Sequence, residues 1–282
     1  MAKPDGKTTL ITGSTDGVGR VVAKRLAAAG WRVLLHGRDR SRGERIAAEI
    51  KQAGGAAEFL AADLASLADV RRLAEAVQKA TPRLDLLINN AGVGSGGSQA
   101  TRQTSADGYE LRFAVNYLAG FLLTDLLLPL LQASAPARIV NVSSLGQQAI
   151  DFDDVMLTRG YSGSRAYCQS KLAQILFTID LADALAGSGV TVNALHPATY
   201  MNTTMVRQSG ATPISSVEEG ADAILKLAVS PQLEGRSGLY FNGQREARAD
   251  AQAYDAEARR QLDVLSRELT GVSARSGAAA VR

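Results

Sequence analysis

The sequence predicts an α/β fold: one doubly wound, mostly parallel sheet of seven strands with helices on both faces. Three observations carry this expectation. Short apolar runs alternate with longer helical patterns from the start of the chain to about residue 240. Several of the short runs are apolar throughout instead of alternating, as strands covered on both faces must be. A glycine-rich loop, Thr12-Gly13-Ser14-Thr15-Asp16-Gly17-Val18-Gly19, also joins the first strand to the first helix.

The elements follow in order. Strands are expected over 8–12, 32–36, 57–61, 84–89, 138–142, 190–195 and 239–241, each rich in Val, Ile, Leu, Ala or Thr. Helices are expected over 18–29, 41–53, 67–80, 111–131, 166–186 and 217–229. Right-handed crossovers through these helices would wind a single sheet. The longest apolar run, Phe121 to Leu131, is broken by Thr124, Asp125 and Pro129. It falls short of the roughly 18 residues of a membrane span and reads as a buried helix. Neither a repeat nor a linker divides 1–245, which is expected to form one domain holding the site and its substrate loops. After Gly243 the composition shifts to Ala, Arg, Glu, Asp and Gln around Tyr254, Leu262, Val264 and Leu265. A terminal helix packed on the domain is expected over 246–270, and a flexible tail over 271–282, which is small and polar.

Composition narrows the function classes. The chain has 282 residues, is 46% hydrophobic and carries a net charge of +3, with both signs dispersed, which argues against a nucleic-acid partner. Cys168 is the only cysteine, so no internal disulfide forms and a reducing, cytoplasmic location is expected. Its place among helical residues fits packing better than reactivity. The polar stretch Met1 to Lys7 lacks the apolar core of a signal peptide. His36 and His196 each end an apolar strand without metal-type spacing, so both read as structural and no metal site is expected.

The glycine loop has strand before it and helix after it, the setting in which backbone N–H groups and a helix N-terminus receive a pyrophosphate. Gly13 permits the turn, Gly17 lets backbone approach phosphate, and Gly19 lets the helix lie close to the sheet. This is a Rossmann-type dinucleotide site. Its second strand ends at His36-Gly37-Arg38, where an NAD site would carry a carboxylate for the ribose 2′-hydroxyl. Gly37 has no side chain, and Arg38 can clamp a 2′-phosphate, so NADP(H) is favoured over NAD(H). Asp16 in the loop would slightly oppose added negative charge. Asp63, with Leu64 beside it, follows the third strand and is placed to take the adenine amino group, or else to cap the next helix.

Tyr167 and Lys171 are four apart, which on a helix stacks them one turn apart on the same face. A free phenol titrates at about 10, so acid/base work near neutrality needs a shift of roughly three units, about 4 kcal/mol. A fixed ammonium nearby supplies part of it. Upstream in order stand Asn89-Asn90-Ala91-Gly92, Asn116 and Ser144.

With these elements in order, the chain resembles the short-chain dehydrogenase/reductase family over roughly 5–245, nearest its retinol-dehydrogenase-like and protochlorophyllide-reductase-like branches. Arg138-Ile-Val-Asn-Val-Ser-Ser144-Leu and Ala166-Tyr167-Cys-Gln-Ser-Lys171-Leu-Ala carry the likeness. The resemblance implies a catalytic set of Asn116, Ser144, Tyr167 and Lys171. Tyr167 would pass the proton, Ser144 would polarise the substrate oxygen, Lys171 would lower the phenol pKa and hold the ribose, and Asn116 would position a relay water. Ser143 competes with Ser144 for its role. The resemblance also implies cofactor contacts from Asn90, Ala91, Gly92, Pro197 and Thr199. One departure stands out: the family's Pro-Gly is Pro197-Ala198 here, and the hydroxyl expected a few residues on is Asn202, with Thr203 beside it.

The implied activity is hydride transfer between NADP(H) and a small-molecule carbonyl or alcohol. Segments 145–164 and 200–213 would line the substrate pocket, and Leu145, Ile150, Phe152, Met156, Leu157, Tyr161, Tyr200, Met201, Met205 and Val206 make it lipophilic unless they pack inward. Gly94 to Gly97 reads as a flexible loop at the mouth. A lyase or epimerase is the first alternative, but its Thr-Gly-x-x-Gly-x-x-Gly loop is not matched by Thr12 to Gly19. A non-catalytic nucleotide sensor is the second, and the presence of Tyr167 and Lys171 counts against it. Apolar faces over 111–131 and 172–186 could form a homo-oligomer interface unless the terminal helix covers them.

Overall fold

The structure is a computed structural model that describes residues 6–97 and 100–273. Seven strands run parallel: β1 (Thr8–Ile11), β2 (Arg32–Gly37), β3 (Ala56–Ala61), β4 (Leu86–Asn89), β5 (Ala137–Val142), β6 (Val190–His196) and β7 (Tyr240–Asn242). Their order across the sheet is β3-β2-β1-β4-β5-β6-β7. The winding reverses between β1 and β4, opening a crevice beyond their carboxyl ends where ligands of such sheets bind.

The apolar runs become strands because both faces of the sheet are covered. Helices α1 (Gly17–Ala28), α2 (Arg40–Gln52) and α7 (Val217–Val229) close one face around Val22, Leu26, Ile46, Leu35 and Ile224. Helices α3 (Leu67–Ala80), α4 (Ala119–Ala133) and α5 (Gly163–Ala184) close the other around Leu73, Phe121, Leu123, Leu172 and Leu176. Side-chain caps fix where helices begin. Asp39, Ser66, Ser162 and Ser216 each accept from the backbone N–H three residues on, filling donors the first turn leaves open.

Three features differ from the sequence expectation. The sheet has eight strands, not seven. Asn242 pairs with Arg245 across the two-residue turn Gly243-Gln244, Gly243 at its first position takes a left-handed φ of +58°, and β8 (Arg245–Ala247) returns antiparallel to β7. The segment 246–270 is therefore not one helix: it holds the end of β8, a 3-10 turn (Ala251–Tyr254) and α8 (Ala256–Thr270). The helix expected over 111–131 starts as a π-helical segment (Phe113–Leu118) before α4. Of the expected tail, Gly271 forms the left-handed cap of α8 and Val272 packs against the core, while 274–282 lie outside the described residues.

The rod from Phe113 to Ala133 is long and apolar enough to cross a membrane by length and composition, with an 18-residue window of mean hydropathy 1.7. Its most apolar window is 67% buried inside the protein, so here it serves as a core helix. α8 lies over it and over α5. The Tyr117 hydroxyl and Ser266 Oγ are 2.7 Å apart, Arg267 sits over the Phe121 ring, and Arg259 lies 3.7 Å from Asp183.

Candidate active site

The glycine loop leaves β1 with Gly13 at a left-handed φ of +65°, a conformation that favours glycine. Two staples fix it. On the β4 side, Asn90 Nδ2 donates to the carbonyls of Thr12 (2.8 Å) and Gly13 (3.0 Å). Thr12 Oγ1 in turn accepts from the N–H groups of Asn90 and Ala91. On the β2 side, Gly13 N–H donates to His36 Nδ1 at 3.1 Å, and Ser14 and His36 exchange further bonds. Asp16 caps α1, accepting from Gly17 N–H at 2.8 Å, and Val18 turns into the core. Burial raises the Asp16 carboxyl, but bonds from Thr204 and Gly17 and the nearby Arg42 outweigh this and hold it below its usual range.

At the end of β2, a Cβ on Gly37 would come within 2.7 Å of the Thr15 side chain. Thr15 fills the place a carboxylate would need. Arg38 is exposed there and makes no ion pair among the described residues, whereas Arg42, one turn into α2, lies 3.5 Å from Asp39 and 3.8 Å from Asp16. Asp63 Oδ1 accepts from Ala65 N–H at 3.0 Å, and the Leu64 side chain is buried in the core.

Asn116, Ser144, Tyr167 and Lys171 converge beyond the ends of β4 and β5. Ser144 follows β5 and is buried; its Oγ accepts from Gly146 N–H at 3.0 Å, and its hydroxyl acts to lower the Tyr167 phenol pKa. Ser143 faces the other way, donating to the Lys171 carbonyl at 2.6 Å. The alternation of β5 thus separates the two serines. Asn116, inside the π segment, brackets Val93: its Oδ1 accepts from Val93 N–H (2.7 Å) and its Nδ2 donates to Val93 O (3.1 Å). The same Nδ2 donates to Ser170 Oγ, which donates to the Tyr167 carbonyl. Ser170 is a functional neighbour that the sequence reading passed over, although it lies between Tyr167 and Lys171.

Lys171 Nζ is 5.9 Å from the centroid of the Tyr167 ring and donates to Val142 O (2.8 Å) and Gln174 Oε1 (3.0 Å). Burial pulls its pKa down to about 7. Burial pushes the Tyr167 phenol up, and the bond from Ser144 works against it. The sequence predicts that Lys171 holds the phenol down; here the group that offsets the phenol's burial is Ser144. A Cβ on Gly92 would lie 3.5 Å from Nζ and 3.1 Å from Asn116 Oδ1, so the glycine leaves room directly above the catalytic candidates. The glycine loop, the Thr15–Gly37 contact and this space fit a dinucleotide.

His196 Nε2 and Thr199 Oγ1 are 3.0 Å apart just past β6, and burial, then Lys171, lowers the His196 pKa. The chain then arches over the glycine loop. Tyr200 takes a left-handed φ of +44°, a Met201–Ser215 bridge closes the arch, and the short helix α6 (Thr204–Gln208) lies within it. Thr204 Oγ1 donates to Asp16 Oδ2 at 2.8 Å. The apolar side chains expected to line the pocket divide. Ile150 and Leu157 are buried in the body, while Leu145 (54% exposed), Tyr200 (54%) and Met205 (40%) remain at the mouth with Ile214 (69%). Tyr161 hydrogen-bonds a buried pair, Glu110 and Arg112. Arg112 also donates to the carbonyls of Gly94 (2.9 Å) and Ser95 (2.7 Å), so the glycine loop at the mouth is anchored at its start.

A family model described as short chain dehydrogenase matches residues 7–213. Retinol dehydrogenase 13 of Mus musculus is 41% identical, covering 96% of this chain and 86% of its own. The Pseudomonas aeruginosa RhlG/NADP active-site complex superposes with a TM-score of 0.70 at 29% identity, covering 85% of this chain and 95% of its own. The 3-ketoacyl-(acyl-carrier-protein) reductase of Brucella melitensis, complexed with NADH, gives 0.69 at 28% identity, covering 85% and 97%.

Proposed function

The chain belongs to the short-chain dehydrogenase/reductase family of nicotinamide-dependent oxidoreductases, and from that premise we propose that it interconverts a lipophilic aldehyde or ketone and its alcohol, with NADP(H) preferred. The observation that carries the reading is the convergence of Ser144, Tyr167, Lys171 and Asn116 under the open space that Gly92 leaves, beside an apolar mouth.

Each side chain then has a task. Ser144 and Tyr167 aim two hydroxyls at one substrate oxygen, stabilising the charge that develops there. The Tyr167 phenol, pushed up by burial, is fully protonated near neutrality and suits proton donation during reduction. Lys171, beneath the space over Gly92, would hold ribose hydroxyls and gain charge when they replace part of its lost solvation. Asn116 fixes the Val93 backbone and, through Ser170, the helix turn that carries Tyr167. A bound nicotinamide supplies or accepts the hydride.

The NADP(H) preference rests on Arg38 standing exposed beside Gly37, where Thr15 leaves no room for a carboxylate. The lipophilic substrate rests on Leu145, Tyr200, Met205 and Ile214 at the mouth, and on relatives named retinol dehydrogenases. Asp63 and Thr199 are proposed for the adenine and carboxamide ends. The cover of α8 over α4 and α5 favours a monomer, and the single cysteine favours a reducing compartment.

The test follows NADPH absorbance with retinaldehyde, a long-chain aldehyde and a small polar ketone. Turnover on the apolar carbonyls that fails in Tyr167→Phe is the expected result. Absence of turnover on every carbonyl and every matching alcohol would remove the proposal.

A further inference from the structure

The staple on the β2 side of the glycine loop carries an inference about His36. The ring is 2% exposed and lies between two backbone groups of fixed character. Gly13 N–H can only donate, so Nδ1, 3.1 Å away, must be a bare acceptor. The Ala62 carbonyl can only accept, so Nε2, 3.2 Å away, must carry the hydrogen. These partners select one state of three: neutral, with the proton on Nε2. An imidazolium, or the opposite tautomer, would set a ring N–H against the Gly13 N–H.

The position gives that state a consequence. Gly13 opens the loop proposed to receive the pyrophosphate, and Ala62 precedes Asp63, proposed for the adenine end. One ring therefore ties both halves of the cradle to the end of β2. Burial holds its pKa at about 4, outweighing the bond to Ala62 and the charge of Asp63, which favour protonation, while the charge of Arg38 adds to the lowering. The backbone of the same residue reinforces the tie, since His36 N–H donates to Ser14 Oγ (2.9 Å) and Ser14 N–H to His36 O (2.9 Å).

We propose that His36 is a positioning residue for the dinucleotide, acting as a neutral Nε2–H imidazole whose Nδ1 holds Gly13 in the phosphate-receiving conformation. The inference rests on the dinucleotide reading of this crevice. Its two mimics separate the contacts: Asn can place an amide oxygen near Nδ1, whereas Gln reaches the Nε2 position and leaves Gly13 without its acceptor.

The experiment measures NADPH affinity by fluorescence titration for wild type, His36→Asn, His36→Gln and His36→Leu. His36→Gln and His36→Leu should weaken binding by about five- to 150-fold, the range for a buried donor left unmet, with His36→Asn within about threefold of wild type. Equal affinity across all four proteins, or His36→Asn binding as poorly as His36→Leu, overturns the proposal. Long-range proton–nitrogen spectra of the unliganded wild type give an independent reading that needs no cofactor. A hydrogen on Nε2 and a bare Nδ1 from pH 8 to 5 are expected, and a hydrogen on Nδ1 at neutral pH overturns it. Failure of the wild type to bind either NADPH or NADH would instead sink the dinucleotide reading, and the inference with it.

Discussion

The two sides of the crevice are held in different ways. The cradle formed by Thr12 to Gly19, Asn90 and His36 is fixed by buried, short-range bonds between backbone and side chain, and its supports come from three neighbouring strands. The arch over 200–215 is closed on itself by the Met201–Ser215 bridge, tied to the cradle by Thr204 and Asp16, and turns exposed apolar side chains outward. The difference teaches where this chain is built to be rigid. A dinucleotide is one ligand with fixed phosphate geometry, so a preorganised cradle lowers the ordering cost of binding it. A lipophilic substrate offers little to hydrogen-bond, and an arch with few fixed contacts adapts to it.

The sharpest way to break this comparison is to remove the chemistry and keep the scaffold. Tyr167→Phe should lower turnover by about 10²–10⁴-fold, as for a lost general acid, with NADPH affinity near wild type. Turnover within a few-fold would show that the proton comes from elsewhere. Lys171→Met separates function from stability. The folded amine titrates at about 7 against 10.5 when free, so the unfolded chain binds the extra proton between those values. Lys171 therefore destabilises the fold most at and below neutral pH, and the penalty is relieved as pH rises through that window. Lys171→Met should abolish turnover yet raise Tm, by a larger margin at pH 7 than at pH 10. A lower Tm at both values would mean that the bonds to Val142 and Gln174 outweigh the cost of burying the amine.

Arg38→Ala tests the open edge of the cradle. A charge-assisted contact is worth roughly 1.5–3 kcal/mol, so NADPH affinity should fall about ten- to a hundredfold while NADH affinity holds. Parallel loss of both would place the side chain in the general support of the loop. His36 tests its interior. With a folded pKa of about 4 against 6.5, the unfolded chain takes up the proton first as pH falls, and stability drains away between those values by up to about 3 kcal/mol. His36→Leu should flatten that part of the stability profile in urea titrations, and an unchanged slope would show that carboxylates alone set it.

The glycine loop and the Tyr167–Lys171 pair were legible because both depend on local pattern. Glycines between a strand and a helix, and a tyrosine four residues before a lysine, are fixed in the chain before it folds. The parallel strands were legible for the same reason, through runs with no polar face. What was not legible depends on distant partners. The lowering of the Lys171 pKa follows from burial, which its spacing from Tyr167 does not show. The Glu110–Arg112 pair anchors a loop read as flexible because its acceptors, Gly94 and Ser95, are backbone carbonyls that every sequence contains. The division of Ile150 and Leu157 from Leu145 and Met205 is likewise a tertiary result, since all four are equally apolar. The eighth strand is a different case: β7 and β8 are three residues each, too short to show a period.

The smallest expected effect probes the tie between the two regions. Thr204→Val keeps the shape of the side chain and removes the hydroxyl that donates to Asp16. The bond is exposed, so its loss should be worth only about two- to tenfold in the opening equilibrium of the arch. Hydrogen exchange reads that equilibrium directly: amides of 200–215 should exchange faster by that factor, and those of the glycine loop, held by Asn90 and His36, should not change. The Asp16 carboxyl should move up toward its usual range, because the first of the bonds offsetting its burial is gone. NADPH affinity should stay within about twofold of wild type, while KM for an apolar carbonyl shifts by a few-fold as the arch loosens. If glycine-loop amides speed up equally, arch and cradle open as one unit, and the contrast between a rigid and an adaptable side is lost. If only the arch responds, the contrast stands, and the substrate side becomes the place to alter specificity without disturbing the dinucleotide.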